Sequence, residues 1–278
     1  MLTLVRRRTD PRGPGADRRD RFDVIGLAVA GFGFSDRPLP RGMTRSRVAG
    51  RGVGRMTELG DPRFRRRTPT ISARVISAFI ALDQPKRLLA RHTTTPGFPR
   101  PPVAAGDRDL SEAERTVREV QRQEAPDEGG YHRIQETGPQ TLALGLHDSP
   151  VGRAAWIVEK WGAWTDPDGK LARHGTTDER LTNVTIYWAT TQTANAAGRA
   201  YSERARDPRL VPPEERIRVP TGVALTTESV QRAPRQWVER PYRDIRRWTE
   251  FPCGGHFGAL QEPDLLADEL RAFFWPFR

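Results

Sequence analysis

The chain has 278 residues, of which 36% are hydrophobic and 29% are charged, with a formal net charge of +11 and a single cysteine, Cys253. This length and composition predict a soluble protein with a substantial core, and one cysteine excludes an internal disulfide framework. Because no His/Cys cluster surrounds Cys253 at ligand spacing, we predict no metal site, and nothing in the sequence implies an organic cofactor.

The basic excess lies entirely in the first third of the chain. Residues 1–100 hold 22 basic and eight acidic side chains, and nearly all the cations are Arg. Nucleic-acid binding is the alternative that such a charge raises, but aromatic side chains to stack bases are sparse there and no binding motif occurs. We therefore predict no nucleic-acid partner and attribute the Arg bias to GC-rich coding.

An apolar run near the N-terminus raises the question of a leader or a membrane span. Val24–Phe34 follows three arginines, but it is too short to cross a bilayer and no small-residue cleavage site comes after it. We predict a buried strand that ends in a glycine turn, no membrane span and a cytoplasmic location.

Periodicity and turn signals predict the following elements in the first 106 residues. They are an irregular lead-in over 1–21, a strand over Phe22–Val29, a turn at Gly31–Gly33, an Arg- and Gly-rich stretch without clear periodicity over Pro38–Thr70, a helix over Ala73–Leu89, and a linker or domain boundary over His92–Gly106, which contains four prolines.

Helix signals dominate the middle of the chain. Leu110–Glu124 begins with Ser111 followed three residues later by Glu114, which is a capping box. Further predicted elements are helices within Gln140–Trp164 and Asp178–Ala197, a strand over Val219–Leu225 and a helix over Asp264–Phe274. This order predicts an α/β core interrupted by a helical insertion, with boundaries at 1–98, 99–208 and 209–278.

A glycine pair before a histidine is the most informative local motif. The segment Gly254-Gly255-His256-Phe257 is followed by Glu262-Pro263-Asp264-Leu265-Leu266-Ala267. Paired glycines allow a sharp loop that presents the imidazole to a cleft, as a general base requires, although a lone histidine is often structural. This motif resembles the epoxide hydrolases of the α/β-hydrolase fold, particularly the branch that includes the microsomal enzyme.

Other segments resemble the same family in the same order, and together they cover roughly two thirds of the chain. They are Phe22–Ile25, Gly31–Pro38, Tyr131–Gln135, Pro139–Leu142, Asp148–Gly152, Ala154–Trp156, Leu181–Asn183 with Tyr187–Trp188, and Val219–Gly222. The resemblance implies an α/β-hydrolase core with an inserted helical lid, and a small-molecule epoxide as substrate.

The resemblance also implies a mechanism and assigns residues to it. In the family an aspartate attacks an epoxide carbon to form an alkyl-enzyme ester, and a histidine oriented by a carboxylate activates the water that cleaves it. Two lid tyrosines donate hydrogen bonds to the epoxide oxygen. His256 matches the base, and Tyr131 and Tyr201 match the tyrosines, with a packing role as the alternative for each. Glu228 lies next to the position of the orienting acid, which is Ser229 here, and could instead be a solvated side chain.

The nucleophile is where the chain departs from the family. The family has a GGDWG-like elbow, whereas this chain has Thr70 at the position of the aspartate and lacks the glycines. A threonine hydroxyl cannot form and then release the ester, so we expect impaired turnover. A local frameshift over residues 38–72 is one explanation that the Arg-rich composition suggests.

The resemblance further implies an HGWPGS oxyanion segment before the strand at Phe22, and nothing in Met1–Arg21 resembles it, although Met1–Pro11 resembles the helix that follows that segment. An N-terminally truncated core is therefore expected. Three functions stay open: an active epoxide hydrolase, a catalytically inactive ligand-binding relative, and a frame-damaged relic.

Overall fold

A parallel sheet forms the centre of the molecule. The computed structural model describes residues 2–9, 21–36, 42–68, 70–96, 110–165, 175–190, 193–207, 217–227 and 234–278. Within these ranges the sheet consists of β1 (Phe64–Thr68), β2 (Leu88–Thr93), β3 (Thr221–Leu225) and β4 (Ile245–Glu250), in that spatial order. All three pairings are parallel, so the carboxyl ends of the strands lie at one edge, where α/β proteins usually bind ligands.

Helices surround the sheet and fill the long connection between β2 and β3. The described helices are α1 (Leu2–Thr9), α2 (Arg45–Glu58), α3 (Ile71–Asp83), α4 (Glu112–Glu128), α5 (Gly130–Thr137), α6 (Pro139–Asp148), α7 (Pro150–Ala163), α8 (Thr177–Ala189), α9 (Thr193–Ala205), α10 (Arg235–Glu239), α11 (Gly258–Gln261) and α12 (Pro263–Phe274). The six helices α4–α9 follow β2 and precede β3 in the chain. In the described ranges, no helix is both long and apolar enough to cross a membrane.

Two apolar clusters cover the two faces of the sheet. One contains Phe79 of α3 and Val238 of α10 packed with Val223 of β3. The other contains Leu266 of α12 packed with Ala224 of β3, the next residue along the same strand. Successive residues of β3 therefore face opposite layers, as in a strand that is buried on both sides.

Several sequence predictions are confirmed. The helix after Ser111 is α4, and its capping box is complete, because the Ser111 side chain accepts from the Glu114 amide and the Glu114 carboxylate accepts from the Ser111 amide. The predicted helices in the middle of the chain, the strand at β3 and the helix at α12 are also present.

The N-terminal predictions are partly wrong. Phe22–Val29 joins no strand ladder in the described structure, and Val24 and Leu27 are 40% and 44% exposed rather than buried. The turn over Gly31–Gly33 is confirmed, with both glycines at positive φ. The irregular lead-in predicted for 1–21 contains α1, whose Leu4 is buried against the second apolar cluster.

The stretch from Pro38 to Gly106 also differs from the sequence prediction. It contains α2 and β1, whose arginines obscure the apolar periodicity, and the helix predicted to Leu89 ends at Asp83 because Leu88 begins β2. His92, placed in a linker by the sequence prediction, is fully buried in β2, where its Nε2 lies 3.3 Å from Glu269 Oε1.

The sheet contains arginine side chains whose burial destabilises the folded state. The Arg91 side chain on β2 is 0% exposed, and none of its three guanidinium nitrogens has a hydrogen-bond partner in the described part of the chain. Its Cζ lies 4.8 Å from the centre of the Tyr242 ring. On β1, burial lowers the pKa of Arg66 and that of Arg67 to about 10. A cation taken out of water without an acceptor destabilises the folded state.

We predict that Arg91→Met raises the stability of the protein. Methionine keeps an unbranched apolar side chain at this position and removes the buried charge, which we expect to stabilise the fold by about 1–4 kcal/mol. The measurement is the melting temperature, with Arg63→Met as the control because Arg63 is exposed. A lower melting temperature for Arg91→Met than for the control would mean that the stacking on Tyr242 outweighs the desolvation.

Candidate active site

A rigid glycine loop after β4 carries His256. Gly254 has φ +90°, and a Cβ at this position would lie 3.1 Å from Glu262 Cγ, so glycine is required both by conformation and by space. The Gly255 amide donates to Gln261 Oε1 at 3.1 Å. The conformation of Gly254 and the hydrogen bond of Gly255 therefore constrain the backbone between β4 and α11. The sequence analysis predicted a sharp glycine loop of this kind before the histidine.

This loop is tied to two other parts of the molecule. The amide and the hydroxyl of Thr227, which follows β3, donate to the Gly254 carbonyl at 2.9 and 2.7 Å. The His256 amide donates to the carbonyl of Trp164, at the end of α7, at 2.9 Å. The His256 and Trp164 ring centres lie 5.0 Å apart. The histidine is therefore fixed at the contact between the sheet edge and the α4–α9 segment.

The two predicted tyrosines lie together beside the same tryptophan. Tyr131 on α5 and Tyr201 on α9 share a side-chain hydrogen bond, and their ring centres are 6.0 Å apart at a nearly perpendicular angle. The Tyr131 ring centre is 5.4 Å from that of Trp164. Trp164 therefore contacts both Tyr131 and His256. The structure thus brings His256, Tyr131 and Tyr201 into one aromatic group.

Cations surround the Tyr201 hydroxyl. Burial raises the pKa of the Tyr201 phenol above its usual value, while the hydrogen bond with Tyr131 and the charges of Arg204 and Arg45 act in the opposite direction. These groups favour negative charge near the phenol oxygen. They would also favour negative charge on an oxygen that accepts a hydrogen bond from Tyr201.

His132 holds Arg204 in this position. The Arg204 guanidinium lies 2.8 Å from His132 Nε2, and His132 Nδ1 lies 3.4 Å from Glu136 Oε1. Burial lowers the pKa of His132, which favours the neutral ring. Nε2 then accepts from Arg204, and Nδ1 carries the proton that faces Glu136. The His132 ring also packs edge-on against Tyr201, with 5.0 Å between the ring centres.

Thr70 occupies the turn between β1 and α3. It is the N-cap of α3, with φ −138° and ψ 165°, and its hydroxyl accepts from the Ala73 amide at 3.3 Å. This is extended backbone without strain, and it is an ordinary capping arrangement. No described hydrogen bond joins Thr70 to Tyr131, Tyr201 or His256.

A cavity of about 130 Å³ lies beside the start of α3 and the helix that carries Tyr201. Ser72 of α3 and Ala200 of α9 both line it, so these two helices border a common space. Glu228, the predicted orienting acid, lies outside the described residues, although the preceding Thr227 is bonded to the His256 loop. Within the described ranges, no cluster of His, Cys, Asp or Glu is arranged to hold a metal ion.

The sequence analysis assigned no role to Trp164, His132 or Arg204, although all three contact the site. Trp164 ends α7 three residues after Trp161, and such an aromatic pair at a helix end is a signal for packing against another element. His132 directly follows Tyr131. Nothing in the sequence pattern distinguishes Arg204 from the other arginines of the chain.

Sequence and fold comparisons agree on the relationship of this chain. It is 35% identical, over its full length, to a putative epoxide hydrolase of Stigmatella aurantiaca, and 32% identical over 95% of its length to epoxide hydrolase 1 of Sus scrofa. It superimposes on the juvenile hormone epoxide hydrolase of the silkworm Bombyx mori with a TM-score of 0.80 and 26% identity, covering 89% of this chain and 62% of that one. No protein-family model matches.

The chain is a homologue of epoxide hydrolases over its full length. Its fold is the α/β-hydrolase fold, as the resemblance predicted, and the Aspergillus niger epoxide hydrolase supports the fold with a TM-score of 0.75 over 90% of this chain and 62% of that one. The chain spans 62% of the length of each of the two curated epoxide hydrolases compared above. The homology and the fold are thereby established, whereas the activity and the substrate of this chain are proposals.

We predict that Gly254→Ala destabilises this epoxide hydrolase homologue, because alanine at φ +90° is strained and its Cβ meets Glu262. The expected loss is about 1–2 kcal/mol of unfolding free energy, measured by denaturant unfolding. Gly258→Ala is the matched control in the next helix, where a Cβ would lie at an ordinary 3.7 Å from Thr226 Cγ2. Equal stability of the two variants would contradict a strained loop.

Proposed function

We propose that this chain binds small-molecule epoxides as its family does, but does not hydrolyse them at a measurable rate. In this proposal Tyr131 and Tyr201, within the lid segment 99–208, donate hydrogen bonds to the epoxide oxygen. His256 is the base that activates water, and Glu228 is the acid that orients it. Thr70 stands at the nucleophile position and supplies no carboxylate.

The observation that carries the binding part is the aromatic group itself. Tyr131 and Tyr201 share a hydrogen bond, and their hydroxyls can turn from each other toward a common acceptor. Trp164 links this pair to His256 through ring contacts on both sides. An epoxide oxygen that accepts from both phenols would be stabilised as charge develops on it.

The observation that argues against turnover is the chemistry at the start of α3. Opening an epoxide by the family route requires a carboxylate oxygen to attack a ring carbon while the C–O bond breaks and the oxygen gains a proton. The Thr70 hydroxyl is engaged as a helix cap, and no general base for it is apparent among its described hydrogen bonds. The first half-reaction therefore lacks its nucleophile.

We expect the epoxide to bind at the tyrosine pair. Styrene oxide should raise the melting temperature of the protein, and Tyr131→Phe and Tyr201→Phe should each weaken its Kd by about twofold to tenfold, since each removes one hydrogen bond. Tyr187→Phe is the control, because Tyr187 lies on α8 near Arg153. An equal loss of affinity in the control would place the ligand elsewhere.

We expect Thr70→Asp to restore the first half-reaction. After incubation with styrene oxide and acid quenching, intact-protein mass spectrometry should show addition of one epoxide molecule, at a level at least about tenfold above wild type. Thr70→Asn is the matched control, since asparagine caps a helix equally well but cannot form the ester. If Thr70→Asp binds the epoxide but forms neither adduct nor diol, Thr70 is not at the nucleophile position.

A frame-damaged relic is the second candidate, favoured by the partly buried arginines of β1. Arg65, Arg66 and Arg67 follow one another on this strand, and each has a buried Nε without a hydrogen-bond partner in the described structure. Such a strand departs from the apolar composition of buried parallel strands. Sequencing the codons for residues 38–72 in all frames should reveal a GGD-type elbow in another frame. An uninterrupted frame without one would exclude this candidate.

A further inference from the structure

The cavity beside Tyr201 has an apolar interior. It is bounded by the turn near Gly31, the start of α2, the start of α3 and the face of α9. Its apolar lining side chains include Val29, Phe32, Met43, Val48, Ile76 and Ala200. A short hydrocarbon chain is the kind of group that such a surface binds.

Three arginines also line this cavity. Arg45, Arg199 and Arg204 line it together with one acid, Glu203. Glu203 is already occupied, because its Oε1 accepts from Arg199 Nη2 at 3.3 Å and from the Gly42 amide at 3.2 Å. Arg204 contacts the neutral His132 ring rather than a carboxylate.

The positive charge near Arg45 is therefore not fully balanced by the described residues. Burial, together with the charges of the neighbouring Arg204 and Arg74, lowers the pKa of Arg45 to about 10. Asp207 acts in the opposite direction, as the acid in this group. Among the described residues near the cavity, the four guanidinium groups of Arg45, Arg74, Arg199 and Arg204 thus face two carboxylates, Glu203 and Asp207.

The backbone of α2 adds to this positive potential. Met43, Thr44 and Arg45 line the cavity, and Arg45 is the first residue of this 14-residue helix. The first turn of α2 contains no acidic side chain. Because a helix N-terminus carries partial positive charge, the start of α2 and Arg45 both favour an anion at the same place.

We propose that this cavity binds an amphipathic carboxylate, with its carboxylate group at Arg45 and Arg204 and its short hydrocarbon chain in the apolar interior. Arginine pairs with carboxylates through charge-assisted hydrogen bonds, and a bound carboxylate would balance the excess of guanidinium groups. If the same molecule also carries an epoxide, the inference rests on the proposed function, because α9 carries both cavity-lining residues and the proposed donor Tyr201. The binding of the carboxylate itself requires no turnover.

The test compares three probes on the full chain by isothermal titration calorimetry. Hexanoate has both the charge and the hydrocarbon chain, 1-hexanol has only the chain, and inorganic phosphate has only charge. Hexanoate should bind at least about tenfold more tightly than either of the others. Arg45→Gln and Arg204→Gln should each weaken hexanoate binding by about tenfold or more, whereas Arg51→Gln, an exposed position on the same helix, should leave it unchanged.

Each other outcome overturns the inference in a distinguishable way. Equal binding of 1-hexanol would remove the role of the arginines, and equal binding of phosphate would remove the role of the apolar lining. If Arg51→Gln weakens hexanoate binding equally, the loss of affinity in the other arginine variants comes from general surface charge and not from this cavity. If styrene oxide binds and hexanoate does not, the carboxylate site fails alone; if hexanoate binds and styrene oxide does not, the proposed epoxide binding fails while this site stands.

Discussion

The hydrogen bond from the His256 amide to the Trp164 carbonyl connects the two parts of the site. His256 belongs to a loop at the edge of the sheet, and Trp164 ends a helix of the α4–α9 segment. The loop is itself fixed by Gly254 and by the bonds from Thr227, so the segment docks against a rigid surface. Because Tyr131 packs on the other side of Trp164, this hydrogen bond and the ring contacts of Trp161 and Trp164 with the His256 loop set the position of the tyrosine pair relative to the histidine.

A second constraint is the desolvation of arginine. The sheet places Arg91 in an apolar layer with the Tyr242 ring beside its guanidinium, and β1 carries three further arginines at partly buried positions. A parallel strand that faces helices on both sides normally consists of apolar residues. Arg74, Arg45 and Arg204 near the cavity belong to the same excess of cations. The desolvation of these arginines destabilises the fold, and the same uncompensated charge favours the anion that we propose to bind in the cavity.

The sequence predicted those elements whose local signals agree with their tertiary environment. The capping box at Ser111 defined the start of α4, and the glycine pair before His256 predicted a loop that the positive φ of Gly254 requires. By contrast, β1 was missed because its arginines give no alternating or apolar pattern, and the strand forms only through pairing with β2. His92 was misplaced for a related reason, since the prolines that follow it suggested a linker while its neighbours in space are buried.

Some residues of the candidate site can be recognised from sequence motifs, whereas others reach the site only through the packing of helices. His256, Tyr131 and Tyr201 were identified from family resemblance, whereas Trp164 and the Arg204–His132 contact depend on how α5, α7 and α9 pack. This division has a chemical consequence. The groups proposed to stabilise negative charge on a ligand oxygen, Tyr131, Tyr201 and Arg204, come from α5 and α9, while the proposed attacking position is a single residue at the start of α3. Because Thr70 supplies no carboxylate while Tyr131 and Tyr201 remain in place, we propose that the site binds its ligand without consuming it.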